Sequence, residues 1–191
     1  MKKILLLLSM FIAFSAFTTP TATWERDQPH AQLSFTVTHM GLSDVSGTFN
    51  NFDVTVTSSK EDFSDAVFNL TADVNSIDTR VEARNNHLKS ADFFDVEKYP
   101  TMTFKSTAIR KIGKDKYKLT GNLTIRNITK TVTMDLLYRG TMVNPQSKAT
   151  TAGFQLSGTL KRSDFELGPK FPEAVISDVV RIKADGEFIR K

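Results

Sequence analysis

The chain of 191 residues contains no cysteine. This absence excludes disulfide bonds, a catalytic thiolate and lipid attachment at a cysteine. The chain also has no G-x-S-x-G nucleophile motif, no glycine-rich phosphate loop and no H-E-x-x-H zinc motif. The core alone must therefore stabilise the fold, and we expect no catalytic residues.

Net charge and histidine are also scarce. The chain carries 25 Lys and Arg against 21 Asp and Glu, and its densest basic patch, residues 110–118, is short. We therefore expect no nucleic-acid partner. The three histidines, His30, His39 and His87, are enough in number for an open zinc site, but they lack a tight ligand spacing. We expect no metal and no cofactor.

The chain has one long apolar run, from Ile4 to Phe17, preceded by Lys2 and Lys3. This pattern is typical of a secretory signal peptide, and the run is shorter than the ~20 residues of a spanning helix. We predict a signal peptide at 1–22, cleaved within 15–22, and a secreted, periplasmic or cell-envelope location. The alternative is an uncleaved N-terminal anchor. Residues 23–191 then form one domain with no stable membrane span.

Period-two alternation dominates the rest of the chain and predicts eight strands. In QLSFTVTHM, for example, Leu33, Phe35 and Val37 share one face. One apolar and one polar face per strand indicate an antiparallel sheet, and long strands containing glycine favour closure. We predict an all-β fold: an eight-stranded antiparallel up-and-down β-barrel, lipocalin-like in architecture.

Two segments interrupt the strands. Residues 80–89 favour a short helix that Asp78 or Thr79 can cap, and an aromatic loop containing Phe93, Phe94 and Tyr99 follows it. The second segment, residues 163–178, contains two prolines and the apolar side chains of Phe165, Leu167 and Phe171, and it is predicted to be a loop. We expect the helix and aromatic loop to be inserted at one end of the barrel.

An eight-stranded barrel is either filled by its own side chains or holds one small ligand. Several inward positions are small, namely Ala66, Ala72, Ala152, Ala184, Gly121, Gly158 and Gly186. Small residues favour a ligand cavity, although they could also face one another across a flattened barrel. A cavity makes Ala152→Phe a blocking substitution. The predicted ligand-binding wall comprises Phe35, Val37, Phe68, Leu70, Phe104, Leu123, Met134, Phe154, Leu156 and Ile182.

The two loops predict the portal of such a cavity. The portal and head-group candidates are His39, Arg84, His87, Asp92, Phe93, Phe94, Arg162 and Phe171. Arg84, His87 and Asp92 either recognise a polar head group or form a network that pins the helix. Arg162 with Asp164 allows the same two interpretations. Phe93 and Phe94 either plug the core or face a lipid.

The order of several blocks resembles the YceI-like polyisoprenoid-binding family. These blocks include HAQLSFTVTHMGLSDVSGTFNNFDVTV, IDTRVEARNNHLKSADFFDVEKYPTMTFKS, GNLTIRNITKTVTM, LKRSDFEL and ISDVVRIKADGEF. The resemblance spans Trp24 to about Phe188 and implies a lipocalin-like barrel whose pocket holds a polyisoprenoid or similar lipid. The chain departs from the family pattern at three positions. Ala31 replaces a serine, Asn127 replaces a glycine, and Glu166 stands where the family often has glycine.

Three functional hypotheses follow. The first is a non-enzymatic protein that holds an isoprenoid-type lipid for transport, storage or stress protection. The second is an enzyme acting on an apolar substrate with His39, His87 or Asp92 as acid–base groups. The third is a structural envelope barrel with a filled interior. An apolar lipid is the expected partner under the first hypothesis, and a homodimer stays open.

Overall fold

The computed structural model describes residues 20–191, and the polypeptide forms a closed antiparallel β-barrel. Eight strands follow one another around the ring in chain order, and the last strand of the chain pairs again with the first. The prediction of an eight-stranded barrel is therefore confirmed. The predicted signal peptide lies mostly outside the described residues. Among residues 20–191, no helix is long and apolar enough to cross a bilayer.

The elements follow one another with short connections, apart from two insertions. The strands are β1 (Ala22–His39), β2 (Ser43–Phe49), β3 (Phe52–Ser58), β4 (Val67–Asp73), β5 (Ile77–Asp78), β6 (Thr101–Gly113), β7 (Lys116–Ile125), β8 (Ile128–Val143), β9 (Thr150–Lys161) and β10 (Val179–Arg190). Helix α1 spans Glu82–Lys89, and 3₁₀ turns occupy Val74–Ser76 and Arg162–Phe165.

Strand β1 is long enough to pair with two partners on one side. Its beginning pairs with β3 and its end, from Leu33, pairs with β2. Strands β2 and β3 thus share one position of the ring, and β5 extends the β4 position by pairing with β2. The alternation analysis missed β2. Its inward Gly47 accommodates the Phe35 ring, so an apolar side chain is missing from the pattern.

Helix α1 was predicted correctly in place but not in its capping. Its N-cap is Val81, which offers no side-chain hydrogen bond. The Thr79 hydroxyl instead donates to Asn85 Oδ1, and Asp78 accepts from the backbone N–H of Arg80 and from Asn85 Nδ2. Thr79 and Asp78 therefore bind the side chain of Asn85 and the backbone N–H of Arg80 instead of capping the helix. They fix the chain leading into α1.

The end of the barrel opposite α1 is filled with side chains. A buried cluster there comprises Trp24, Val56, Phe63, Ala66, Phe68, Tyr117, Leu119, Leu136, Ala152, Phe154 and Phe188. Phe63 and Phe154 meet edge to face with ring centroids 4.9 Å apart. Such contacts stabilise aromatic clusters beyond their buried area. This cluster closes one end of the barrel.

The expectation that small inward residues create the free space was largely wrong. Ala152 is 0 % exposed and belongs to the filled end, so it does not border the cavity. At Gly121, an added Cβ would collide with the Phe104 ring, so this glycine accommodates an aromatic side chain. Of the small inward positions, only Ala184 and Gly186 border the free space. Alternation identifies the inward face of a strand but not the height of a residue along the barrel.

Candidate functional site

The half of the barrel beneath α1 encloses a cavity of about 490 Å³. All ten residues predicted for the cavity wall border it. Its wall is almost wholly aliphatic and aromatic, and it further includes Leu33, Val45, Phe49, Phe52, Val54, Met102, Leu160, Phe165 and Val180. The cavity therefore suits an apolar molecule. Whether the ten residues bind one stays a prediction.

The mouth of the cavity is framed by α1, the aromatic loop at 90–100 and the portal loop, residues 166–178. The portal loop is fastened to the end of β1, because Met40 N–H donates to Val175 O and Ser177 N–H donates to Thr38 O, both at 2.9 Å. It is joined to the aromatic loop by Gly168 N–H, which donates to Asp92 O at 2.9 Å. The backbone itself thus holds the frame together.

Aromatic rings line this frame. Phe93 is buried and stacks on Phe171 with centroids 5.2 Å apart, and the His87 ring lies edge-on to both. Gly168 has a φ of +61°, and a Cβ there would lie 2.5 Å from the Phe93 ring, so only glycine fits. Phe94 packs edge to face on Phe49. Both phenylalanines pack in the core and border the cavity, and whether either ring faces a lipid stays a prediction.

Arg162 organises the portal loop from inside. Its guanidinium donates all five N–H groups to backbone carbonyls, which are those of Leu167, Gly168, Phe171, Ile176 and Ser177. Arg162 is 8 % exposed, and no ion pair joins it to Asp164 among the described residues. Its donors are therefore used within the protein. It positions the loop and has no N–H left for a head group.

The polar set of Arg84, His87 and Asp92 is divided in the structure. Arg84 Nε donates to Thr79 Oγ1 and its Nη2 to Thr79 O, both at 2.8 Å. Asp92 pairs with Lys170 at 2.8 Å, which lowers the pKa of the Asp92 carboxyl, and lies 3.6 Å from His87 Nε2. Asp92 does not border the cavity, whereas Arg84 and His87 do. The three side chains therefore do not form a single network.

The histidines are not assembled into one site. His39 ends β1 at the rim, where it forms a bridge with Ile176, and it borders the cavity. His30 lies where β1 bulges, and Asp27 accepts its hydrogen bond, which raises the pKa of the imidazole. Within residues 20–191, only one set of three metal-ligating side chains lies close enough together to share an ion. It consists of Asp27, His30 and Glu187, and it lies outside the cavity.

Sequence reasoning missed several residues of the wall and mouth. Leu88 of α1 and Ile176 of the portal loop both border the cavity. The helical periodicity of α1 could have identified Leu88, since it falls one turn after Arg84. The role of Ile176 depends on its pairing with His39 across the barrel rim, and no local pattern encodes that pairing.

Comparisons with known proteins agree with this architecture. Residues 24–188 match the sequence model of the YceI-like domain. Protein YceI of Salmonella arizonae is 37 % identical over 176 residues, which cover 87 % of this chain and 91 % of that protein. The crystal structure of BcnA from Burkholderia cenocepacia superposes with a TM-score of 0.77 at 27 % identity and covers 85 % of this chain and 98 % of that one.

A third protein shares the fold at lower sequence identity. It is a polyisoprenoid binding domain from Saccharophagus degradans implicated in plant cell wall breakdown, with a TM-score of 0.67 and 15 % identity. The match covers 90 % of this chain and 100 % of that domain. The barrel, its apolar cavity and the family match over residues 24–188 lead to one conclusion: this chain belongs to the YceI-like family.

Proposed function

We propose that this protein holds one long, chain-like lipid of polyisoprenoid type in its barrel, as a carrier or store in the periplasm or cell envelope. The observation that carries the proposal is the apolar cavity of about 490 Å³. The location is supported by the predicted signal peptide. The ligand class is supported by the shape and chemistry of the wall and by the fold shared with a polyisoprenoid binding domain.

The size of the cavity argues against a permanently empty interior. At roughly 24 cal/mol per Å³, a dry void of 490 Å³ costs on the order of 12 kcal/mol. This equals the entire stability of a typical domain. Water is a poor filler because each buried water needs two to four polar partners, and the wall offers few. A hydrocarbon chain removes the cost without needing hydrogen bonds.

The volume also suggests how much of the chain lies inside. At roughly 30 Å³ per water-sized group, the cavity accommodates about 16 such groups, or about three isoprene units. A longer chain must therefore extend through the mouth. Prenyl alcohols of increasing length test this: affinity should rise steeply to about farnesol and then level off. If farnesol in excess does not bind the delipidated protein, the proposal fails.

Arg84 is the head-group donor that we propose. It borders the mouth, and its Nη1 group has no hydrogen-bond partner among residues 20–191, while its other edge is fixed to Thr79. Arg84→Gln should weaken binding of a prenyl ligand with a polar head group and leave binding of the matching hydrocarbon unchanged. Lys89→Gln on the same helix removes an equal charge away from the cavity and serves as the control. Equal losses for both ligands would contradict this assignment.

A further inference from the structure

The barrel wall contains a second pocket, on its outer side, where β1 leaves its neighbours. Arg26 lies opposite Phe188 of β10 and Ala31 lies opposite Gly186, so four residues of β1 bulge out opposite Glu187 alone. On the other side, β1 pairs with β3 up to Glu25 and with β2 only from Leu33. The backbone ladder is therefore open on both sides of this segment.

This wall pocket has a volume of about 710 Å³ and opens to solvent. Its lining is partly polar and partly apolar. The polar and charged lining comprises Arg26, Gln28, His30, Gln32, Thr48, Asn50 and Asp185, and the apolar lining comprises Pro29, Ala31, Leu33, Phe49 and Phe52. Leu33, Phe49 and Phe52 also border the large cavity, so they separate the two spaces. An occupant of the wall pocket would lie back to back with one in the barrel.

Arg26 is the unusual member of the wall pocket. Its side chain is only 8 % exposed, and its guanidinium lies 4.2 Å from the centre of the Phe52 ring. The buried Nε–H has no hydrogen-bond partner, and the side chain makes no hydrogen bond with any of residues 20–191. The nearest carboxylate oxygen, on Asp53, is 3.6 Å from Nη2, and the Asp53 side chain is 90 % exposed.

Arg162 is a buried arginine of the same chain whose hydrogen bonds are all formed, and it differs from Arg26 in this respect. Arg162 gives all of its N–H groups to carbonyl oxygens. The Arg26 Nε–H is buried without such a bond and carries a desolvation penalty, which the contact with the Phe52 ring and the long ion pair with Asp53 offset only in part. An acceptor that enters from solvent would remove this penalty, and a forked guanidinium suits a carboxylate or phosphate.

The other groups around the wall pocket are compatible with such an acceptor. Asn50 accepts from the Thr48 hydroxyl through Oδ1, so its amide N–H groups stay free to donate. Among the nearby acids, Asp185 is bound to Gln155 and Arg139, and Asp27 is bound to His30. Glu187 lies beside the His30–Asp27 pair. Asp53 is therefore the main competitor for Arg26, at a distance beyond a hydrogen bond.

We propose that the wall pocket is an oxyanion site in which Arg26 binds the carboxylate or phosphate group of a small molecule whose apolar part rests on Leu33, Phe49 and Phe52. This site is separate from the lipid cavity and does not depend on the lipid for its chemistry.

The Arg26 Nε–H resonance in ¹⁵N-labelled protein reports on the site directly. Benzoate and inorganic phosphate are the two probes, because the first has an apolar body and the second has none. We expect saturable movement of the Arg26 resonance with at least one probe, before and after saturation with farnesol. A response to benzoate alone would indicate that the site binds organic carboxylates. A response to phosphate alone would indicate that it binds phosphoryl groups. A response to both would indicate that it binds oxyanions of either kind.

Matched variants separate a binding site from a structural role. Arg26→Met should weaken probe binding by about tenfold to a hundredfold, the loss expected for charge-assisted hydrogen bonds. Arg26→Lys should retain only part of the affinity. Arg126→Met is the control, since Arg126 Nε is also buried without a partner but lies outside the wall pocket. If neither probe moves the resonance, or if Arg26→Met binds as tightly as the wild type, the proposal is overturned.

Discussion

Two alanine-to-phenylalanine substitutions on neighbouring strands should have opposite effects. Ala184 of β10 borders the cavity, whereas Ala152 of β9 is 0 % exposed within the aromatic cluster at the filled end. Phenylalanine at 184 enters free space, and phenylalanine at 152 has none. The pair therefore tests where along the barrel the cavity lies.

The magnitudes follow from the two environments. Burying a phenylalanine side chain contributes about 1.5–3 kcal/mol, less about 0.5–1 kcal/mol for its ordering. Ala184→Phe should therefore raise the free energy of unfolding of the delipidated protein by about 1–2 kcal/mol. Overpacking at Ala152 should lower it by about 1–3 kcal/mol or more. Only Ala184→Phe should reduce lipid affinity, because its ring occupies volume that the ligand needs.

Urea unfolding of the delipidated proteins measures the change in stability. Displacement of an apolar dye by farnesol measures the change in lipid affinity. Comparable destabilisation by the two substitutions would refute the placement of the cavity, as would full farnesol affinity in Ala184→Phe. Selective loss of farnesol binding in Ala152→Phe would refute it as well.

Three further predictions concern the portal loop and the filled end. Arg162→Met leaves five carbonyls without their donor and should lower the free energy of unfolding by about 3–5 kcal/mol. The control Asp164→Asn, at an exposed position, should change the free energy of unfolding by no more than about 0.5 kcal/mol. Chemical denaturation measures both changes. Glu166 has a φ of 54°, which glycine adopts without strain, so Glu166→Gly should raise the free energy of unfolding by about 1 kcal/mol. The control is Glu173→Gly, which should not stabilise the protein because Glu173 has no positive φ. Burial alone would raise the pKa of Asp65, but hydrogen bonds from two neighbouring serines outweigh it and hold the pKa at about 2, below the usual 3.8. The stability that Asp65 contributes is then complete above about pH 4 and lost as the pH falls through about 2, so acid titration of Asp65→Asn should give a shallower decline than the wild type.

The features that follow from local alternation were predictable from the sequence. Strands that carry one apolar and one polar face gave the eight positions of the ring, and the ten residues predicted for the wall border the cavity because inward faces follow period two. The irregular segments were also located, since prolines and helix-forming residues interrupt the alternation. Alternation and these interruptions were enough to predict the fold and an apolar interior.

The rest depends on contacts between distant segments. Ala152 was misplaced because period two says nothing about height along the barrel. Arg162 acts on carbonyls of residues 167–177, and carbonyl positions leave no trace in a side-chain pattern. Arg26 was overlooked because a basic residue near the start of a strand has the sequence pattern of an ordinary surface charge. Its burial results from the break in pairing between β1 and both of its neighbours.

Analysis of the material that co-purifies with the native protein tests the central claim most directly. Native mass spectrometry followed by solvent extraction should find one apolar, chain-like lipid per protein molecule, released on unfolding. A protein isolated without any such molecule, which also fails to take up farnesol in excess, would contradict the account.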